Sequence, residues 1–322
     1  MIRTRLTERL GIEAPILCAP MAFATGGALA AAVTGAGGLG LIGGGYADPA
    51  FVEAEFRAAG NARVGCGFIT WRLAGNEAAL HAALAHRPAA MMLSFGDPRP
   101  YAEAVREAGA VLICQVQTLA GARLAVEAGA DIVVAQGAEA GGHGAVRATM
   151  TLVPEVRDAL GADALLLAAG GIADGRGLAA ALALGADGVL MGSRFWASAE
   201  ALSHPRHRAA AVAASGDATV RQSATDIARG YDWPDGYTAR VLDNAFVARW
   251  EGDPAAHRAA ADAEREAYAA AVAAGDPDNV GVFVGEAAGL INDAPPAAEI
   301  VRRTVAEAEA ILRRGGTLVG GG

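Results

Sequence analysis

What most limits the folds open to this chain is a rhythm. Through its first two-thirds, a short apolar run, a glycine-rich or polar turn, and an alanine-rich amphipathic segment ending in Gly follow one another repeatedly. Strand-length apolar runs alternating with helical periodicity are the signature of βα units. Eight runs can be read: "APILCAPM", "LGLIGGG", "ARVGCGFIT", "AAMMLSF", "AVLICQV", "DIVVAQG", "ALLLAAGGI" and "GVLMGSRF", the last ending at Phe195. Between them lie segments such as "PYAEAVREAG" and "LAGARLAVEAG", whose closing Gly supplies the left-handed residue that ends many helices. Eight units closing on themselves give a (β/α)8 barrel, whereas an open doubly wound sheet uses fewer strands and a reversal of order. The expected class is α/β, a (β/α)8 TIM barrel.

After Phe195 the rhythm stops. Residues 204–296 carry "RQSATDIARGYDWPDGY", "LDNAFVARWEGD", a helical "AAHRAAADAEREAYAAAVAAG" and "NVGVFVGEAAGLIND", none of which continues it. A mainly helical inserted small domain is expected over 204–296, acting as a lid, with residues 1–203 plus 297–322 forming the barrel. "PAAEIVRRTVAEAEAILRR" has apolar residues at helical spacing and suits the eighth barrel helix, and "GGTLVGGG" reads as a loose tail.

Composition removes several functions. All 26 basic residues are arginine, so Schiff-base aldolase, pyridoxal-phosphate and Walker-type nucleotide chemistry, each needing a lysine amine, are excluded. A net charge of −9 opposes a general grip on nucleic acid. Cys18, Cys66 and Cys114 lie far apart inside apolar runs, which suits buried free thiols rather than a zinc or dithiol centre, and "HPRH" has too few companions for a metal site. Residues 14–47 are uncharged, but nine glycines between Gly26 and Gly45, with Pro20 upstream, make a membrane-spanning helix a poor account of them. The opening "MIRTRLTERLG" lacks a secretory pattern, so a cytoplasmic location is expected, with no membrane and no metal.

In a barrel the loops after the strands form the active face, and phosphate is commonly held after the seventh and eighth. Those loops read "AAGGIADGRG" and "MGSRF". Gly170, Gly171 and Gly192 would let backbone N–H groups approach an anion, with Ser193 adding a hydroxyl, or they only close tight turns; two such loops in succession favour a phosphate-bearing cofactor. "GAGGLG", Gly35 to Gly40, matches a dinucleotide fingerprint by letter but follows a helix and enters a strand, the reverse of the required order. Gln115 and Gln136 fall near the ends of strands five and six, where an amide suits the pyrimidine edge of a flavin or satisfies loop backbone. His143, in "AQGAEAGGHGA", sits in the loop after the sixth strand. His81 and His86 fall in a predicted helix, His204 and His207 in the "SHPRH" turn and His257 in the insertion, so only His143 stands where a barrel does its chemistry; the alternative is a surface or capping residue.

"PILCAPMA", "GAGGLG", "AQGAEAGGHGA", "AAGGIADGRG" and "MGSRF", in this order, resemble the nitronate monooxygenase family, also called 2-nitropropane dioxygenases; "DNAFVARW" and "GEAAGLI" extend the resemblance through the insertion. It implies an FMN-dependent oxidoreductase that converts nitronates or nitroalkanes, with O2, to carbonyl compounds and nitrite, with His143 as catalytic base. Carried over by motif, FMN contacts fall on Ala19, Pro20, Met21, Gln115, Gln136, Gly141, Gly142, Gly170, Gly171, Met191, Gly192 and Ser193. The chain departs from the family at "GCGFIT", where Gly67 stands in place of a frequent Asn. An NAD(P)H:quinone reductase and an FMN-dependent enoyl-thioester reductase share the resemblance, and a non-catalytic flavin-binding or partner-binding barrel is a third reading. A homodimer is left open.

Overall fold

The computed structural model describes residues 2–250 and 252–318. Eight parallel strands close into a barrel: β1 (Ile16–Cys18), β2 (Leu39–Gly45), β3 (Gly65–Ile69), β4 (Ala90–Ser94), β5 (Val111–Val116), β6 (Ile132–Gln136), then β8 (Leu165–Ala169) and β9 (Gly188–Met191), which pairs back onto β1 through Ile16↔Val189. Each expected run holds one of them. Strand alternation divides the core in two. Leu17, Leu41, Met92, Ile113, Val134, Leu167 and Leu190 fill the barrel interior, closed below by Leu6 and Leu10 of the helix Arg5–Leu10, while Cys18, Cys66, Cys114 and Met91 face the outer helices.

The "GAGGLG" stretch ends the helix Gly27–Gly35 and enters β2, with Gly37 at φ +92. A Cβ on Gly40 would lie 2.1 Å from the Ala30 carbonyl oxygen, so this glycine lets helix and strand approach closely. The helix Ala297–Leu318 packs on Gly175–Ala183 as the eighth barrel helix. It runs through the first part of the expected loose tail; residues 319–322 lie outside those described. No helix among the described residues is long and apolar enough to cross a membrane.

The inserted segment is richer than its helical pattern suggested. Besides helices such as Pro205–Ala213, Ala224–Arg229 and Ala261–Ala274, it holds β10 (Thr219–Gln222) and β11 (Thr238–Leu242). These form an antiparallel sheet with a third strand, β7 (Gly142–Gly144), which the barrel contributes from the loop after β6. "SHPRH" is not a free turn: His204 caps the helix Pro205–Ala213 and His207 is buried within it.

Candidate active site

The C-terminal face of the barrel opens into a cavity of about 1000 Å³, at the upper end of the ~300–1,000 Å³ usual for ligand pockets. Its floor is barrel: Ala19, Pro20 and Met21 after β1, Gln115 and Gln136 on β5 and β6, Gly170 and Gly171 after β8, and Gly192 and Ser193 after β9. Its roof is the inserted segment, with Arg229, Tyr231, Trp233, Tyr268 and Phe283. Gly141, Gly142 and His143 line it as well. Of the residues singled out from sequence, Met191 alone is off the wall. Alternation along β9 gives Leu190 and Gly192 to the cavity and turns Met191 into the strand–helix core.

The glycines do different jobs. A Cβ on Gly170, at φ +101, would lie 2.9 Å from the Gly137 carbonyl oxygen and the Thr149 hydroxyl, so Gly170 is required by packing. One on Gly141 would lie 2.5 Å from the Gly285 nitrogen, a contact with the inserted segment. Gly192 is otherwise: a Cβ there would meet nothing nearer than Met21 Sδ at 3.7 Å, so its bareness keeps cavity space open. Ser193 Oγ accepts from the Gly285 N–H at 2.9 Å and keeps its own hydrogen to donate. Among the glutamines, Gln136 is committed to structure. Its Oε1 accepts from Gln117 at 2.8 Å and its Nε2 donates to the His143 carbonyl at 3.1 Å. Gln115 is buried on the cavity wall, and its side-chain amide has no hydrogen-bond partner among the described residues, which leaves it for a ligand.

His143 is held from three sides. Its backbone is opposite Ala239 in the β7–β11 ladder, and the half-buried arginines Arg221 and Arg240 bind the Ala138 carbonyl upstream of it at 3.2 and 3.0 Å. Its ring stacks on Trp233, centroids 3.4 Å apart at 7°. Its Nε2 lies 2.9 and 3.0 Å from the two carboxylate oxygens of Asp226. Both side chains are nearly enclosed, 9% and 5% exposed. Burial, opposed by Asp226 and reinforced by the charges of Arg229 and Arg221, holds the His143 pKa below its usual 6.5. The imidazole is therefore neutral at neutral pH, and facing a carboxylate acceptor it carries its proton on Nε2 and its lone pair on Nδ1.

The family model for nitronate monooxygenase matches residues 3–63 and 71–307. The chain belongs to the nitronate monooxygenase family. Nitronate monooxygenase npaC of Metarhizium robertsii is 38% identical over 92% of this chain and 91% of its own length. Two solved structures share the architecture: FabK from Thermotoga maritima, at TM-score 0.86 and 33% identity over 99% of this chain and 100% of that one, and nitroalkane oxidase from Streptomyces ansochromogenes, at 0.81 and 28% over 97% and 99%. Membership of the nitronate monooxygenase family makes the protein an oxidoreductase.

Within this family member, Gly67 has a local explanation. A Cβ there would lie 2.4 Å from Pro20 Cγ and 3.2 Å from Met92 Cβ, so the ring of Pro20 occupies the space a side chain at position 67 would need. Sequence reading missed Asp226, Arg229, Trp233 and Tyr46. Trp233 Nε1 donates to the Tyr46 hydroxyl at 3.3 Å, and burial pushes the Tyr46 pKa up to about 12, so this phenol stays protonated. One signal was available: "DIARGYDWPDGY" concentrates aromatic rings in a chain only 5% aromatic.

Proposed function

We propose that this protein oxidises alkyl nitronates, and nitroalkanes, with O2 to carbonyl compounds and nitrite, using bound FMN and His143 as general base. The observation that carries the reading is the His143–Asp226 pair, 2.9 Å apart and nearly enclosed, with His143 on the wall of the large cavity and Asp226 behind it. Removing an α-proton needs a neutral base held in place, and imidazole suits this near neutral pH. Asp226 accepts the hydrogen bond from Nε2–H and leaves Nδ1 as the accepting atom, while Trp233 fixes the ring plane. The aromatic rings of the roof present apolar faces to the cavity beside His143.

The barrel floor fits FMN. Open space at Gly192, the free hydrogen of Ser193 and the turn at Gly171 offer a place for a phosphate, and Gln115 offers an unpaired amide for the ring edge. Ala19 to Met21 and Gly141 and Gly142 would bound the ring system, with Gln136 and Gly170 holding the loops around it. When bound, FMN supplies the redox chemistry linking nitronate to O2.

Anaerobic mixing of the oxidised protein with nitronate, and separately with NADH and NADPH, tests the reading. Nitronate alone should bleach the flavin, and the cofactor released on denaturation should have the mass of FMN. Bleaching by a nicotinamide alone would move the assignment to a quinone or enoyl-thioester reductase, and a protein that cannot be loaded with FMN would remove the redox reading.

A further inference from the structure

The helix Ala224–Arg229 sends two charged side chains to the site. Asp226 meets His143, and three residues on, Arg229 lines the same cavity. The Arg229 guanidinium carbon lies 4.7 Å from the ring centroid of Tyr231, 5.3 Å from Tyr46, 5.5 Å from Phe283 and 5.7 Å from Phe23. All four rings also line the cavity. Among the described residues, Arg229 has no carboxylate within salt-bridge distance and no hydrogen-bonded acceptor. The other arginine on the wall, Arg265, is paired with Asp262 at 3.2 Å. Glu139, the carboxylate on the wall, is occupied by Thr149, whose N–H and hydroxyl donate to it at 3.0 and 2.9 Å.

Aromatic faces attract a guanidinium but cannot take its in-plane N–H groups as oxygen acceptors do. Five donors in a flat fork, permanently charged and inside an apolar cavity, match an acceptor with two coplanar oxygens sharing one negative charge. Low surrounding polarity strengthens that attraction. The Arg229 charge also reaches His143, where it disfavours the protonated imidazole.

We propose that Arg229 is the oxyanion-binding residue of this site, taking the two oxygens of a nitro or nitronate group while His143 faces the α-carbon. The assignment rests on the nitronate reading above for the identity of the substrate, but not for the binding of a planar oxyanion. In the proton-transfer step the α-C–H bond breaks, the proton passes to His143 Nδ1, and the electron pair forms the C=N bond. The charge that appears on the two oxygens is met by Arg229. The arginine thus favours the product of deprotonation over the neutral reactant, the differential stabilisation that lowers a barrier.

Nitrate, a planar oxyanion with no α-proton, is the probe. It should bind the purified holoprotein, change the fluorescence of the nearby tryptophans and compete with nitronate. Arg229→Gln should weaken nitrate binding and raise the nitronate KM by about 10 to 100-fold, the scale of a lost charged hydrogen-bond pair. Arg229→Lys, which keeps the charge but not the fork, should fall between, and it decides the matter if the Gln variant does not fold. Failure of nitrate to bind the parent, or binding and KM unchanged in Arg229→Gln or Arg229→Lys, would overturn the proposal. Nitrate binding that depends on Arg229 in a protein that oxidises no nitronate would keep the oxyanion site and discard the reaction.

Discussion

The two sides of the cavity are made of different material. The barrel side combines small residues and backbone, such as Ala19, Pro20, Gly67, Gly171 and Gly192, with the rings of Phe23, Tyr46, Phe68 and Phe95, whereas the inserted side carries both arginines of the wall, Arg229 and Arg265, together with Tyr231, Trp233, Tyr268 and Phe283. The barrel side offers space and amide groups, which suits holding a flat cofactor. The inserted side offers charge, hydrogen-bonding side chains and ring faces, which suits orienting a base and a substrate. His143 joins them, belonging to a barrel loop by sequence and to the inserted sheet by hydrogen bonding. The contrast teaches that a barrel can leave much of one face open when the charged partners of its loop residues are delivered from a separate layer.

That division predicts that changes at the junction and on the inserted side harm chemistry, while changes on the floor harm cofactor retention. The largest effect is expected for His143→Ala. With a neutral nitroalkane, loss of the base should reduce kcat/KM by ~100 to 10,000-fold, while the preformed nitronate, which has no α-proton to lose, should suffer much less. The parent's use of both forms is measured first. Equal losses with both would make His143 a binding group and not the base; no loss with full FMN would make it a bystander.

Asp226→Asn comes next. The carboxylate raises the His143 pKa against burial, so removing it should lower that pKa further and move the acid limb of kcat/KM to lower pH. In the parent that limb is expected below 6.5, because burial depresses the histidine. Turnover of the neutral nitroalkane should also drop at least about tenfold, since the amide can hold the wrong tautomer. A limb that stays in place, or moves upward, would dissolve the pair. The same depressed pKa affects stability: the unfolded histidine binds protons that the folded one refuses, so this group's contribution is lost as pH falls below 6.5.

On the barrel side, Gly192→Val should weaken FMN retention about tenfold or more by placing a side chain where backbone N–H groups would meet phosphate. The apo-protein should melt close to the parent, because a Cβ there meets nothing nearer than 3.7 Å. FMN affinity equal to the parent's would make Gly192 a turn residue only. The smallest effect is expected at the cysteines. Burial pushes the thiols of Cys18, Cys66 and Cys114 up to about 12, so thiol reagents should leave the native protein unlabelled at neutral pH and react only on unfolding. Rapid labelling of the native protein would show that the outer barrel layer opens.

Legibility in the sequence followed the range of the interactions. Each barrel strand announces itself locally, as an apolar run bounded by turns, and the order of helix and strand around "GAGGLG" was enough to distinguish a packing glycine at Gly40 from a nucleotide loop. β10 and β11 did not announce themselves. "TVRQ" and "TARVL" are short and carry half-buried arginines, and they become strands by pairing with each other and, through β11, with Gly142–Gly144. Met191 was grouped with its neighbours by motif, yet side-chain direction depends on strand parity, and that puts Met191 on the other face.

The sequence by itself determined the barrel, the end of its rhythm after the eighth strand, the glycines of the floor and the position of His143 at the mouth. All of these rest on periodicity and on residue types whose conformational limits act over a few neighbours. Only the tertiary structure decided what faces His143. Asp226 lies 83 residues away along the chain, and its approach depends on how the inserted sheet pairs with β7 and on the direction in which one short helix is laid over the barrel. No local preference encodes that meeting. It is fixed by the joint packing of two layers, the scale at which a buried histidine acquires its carboxylate and a cavity its one unpaired arginine among the described residues.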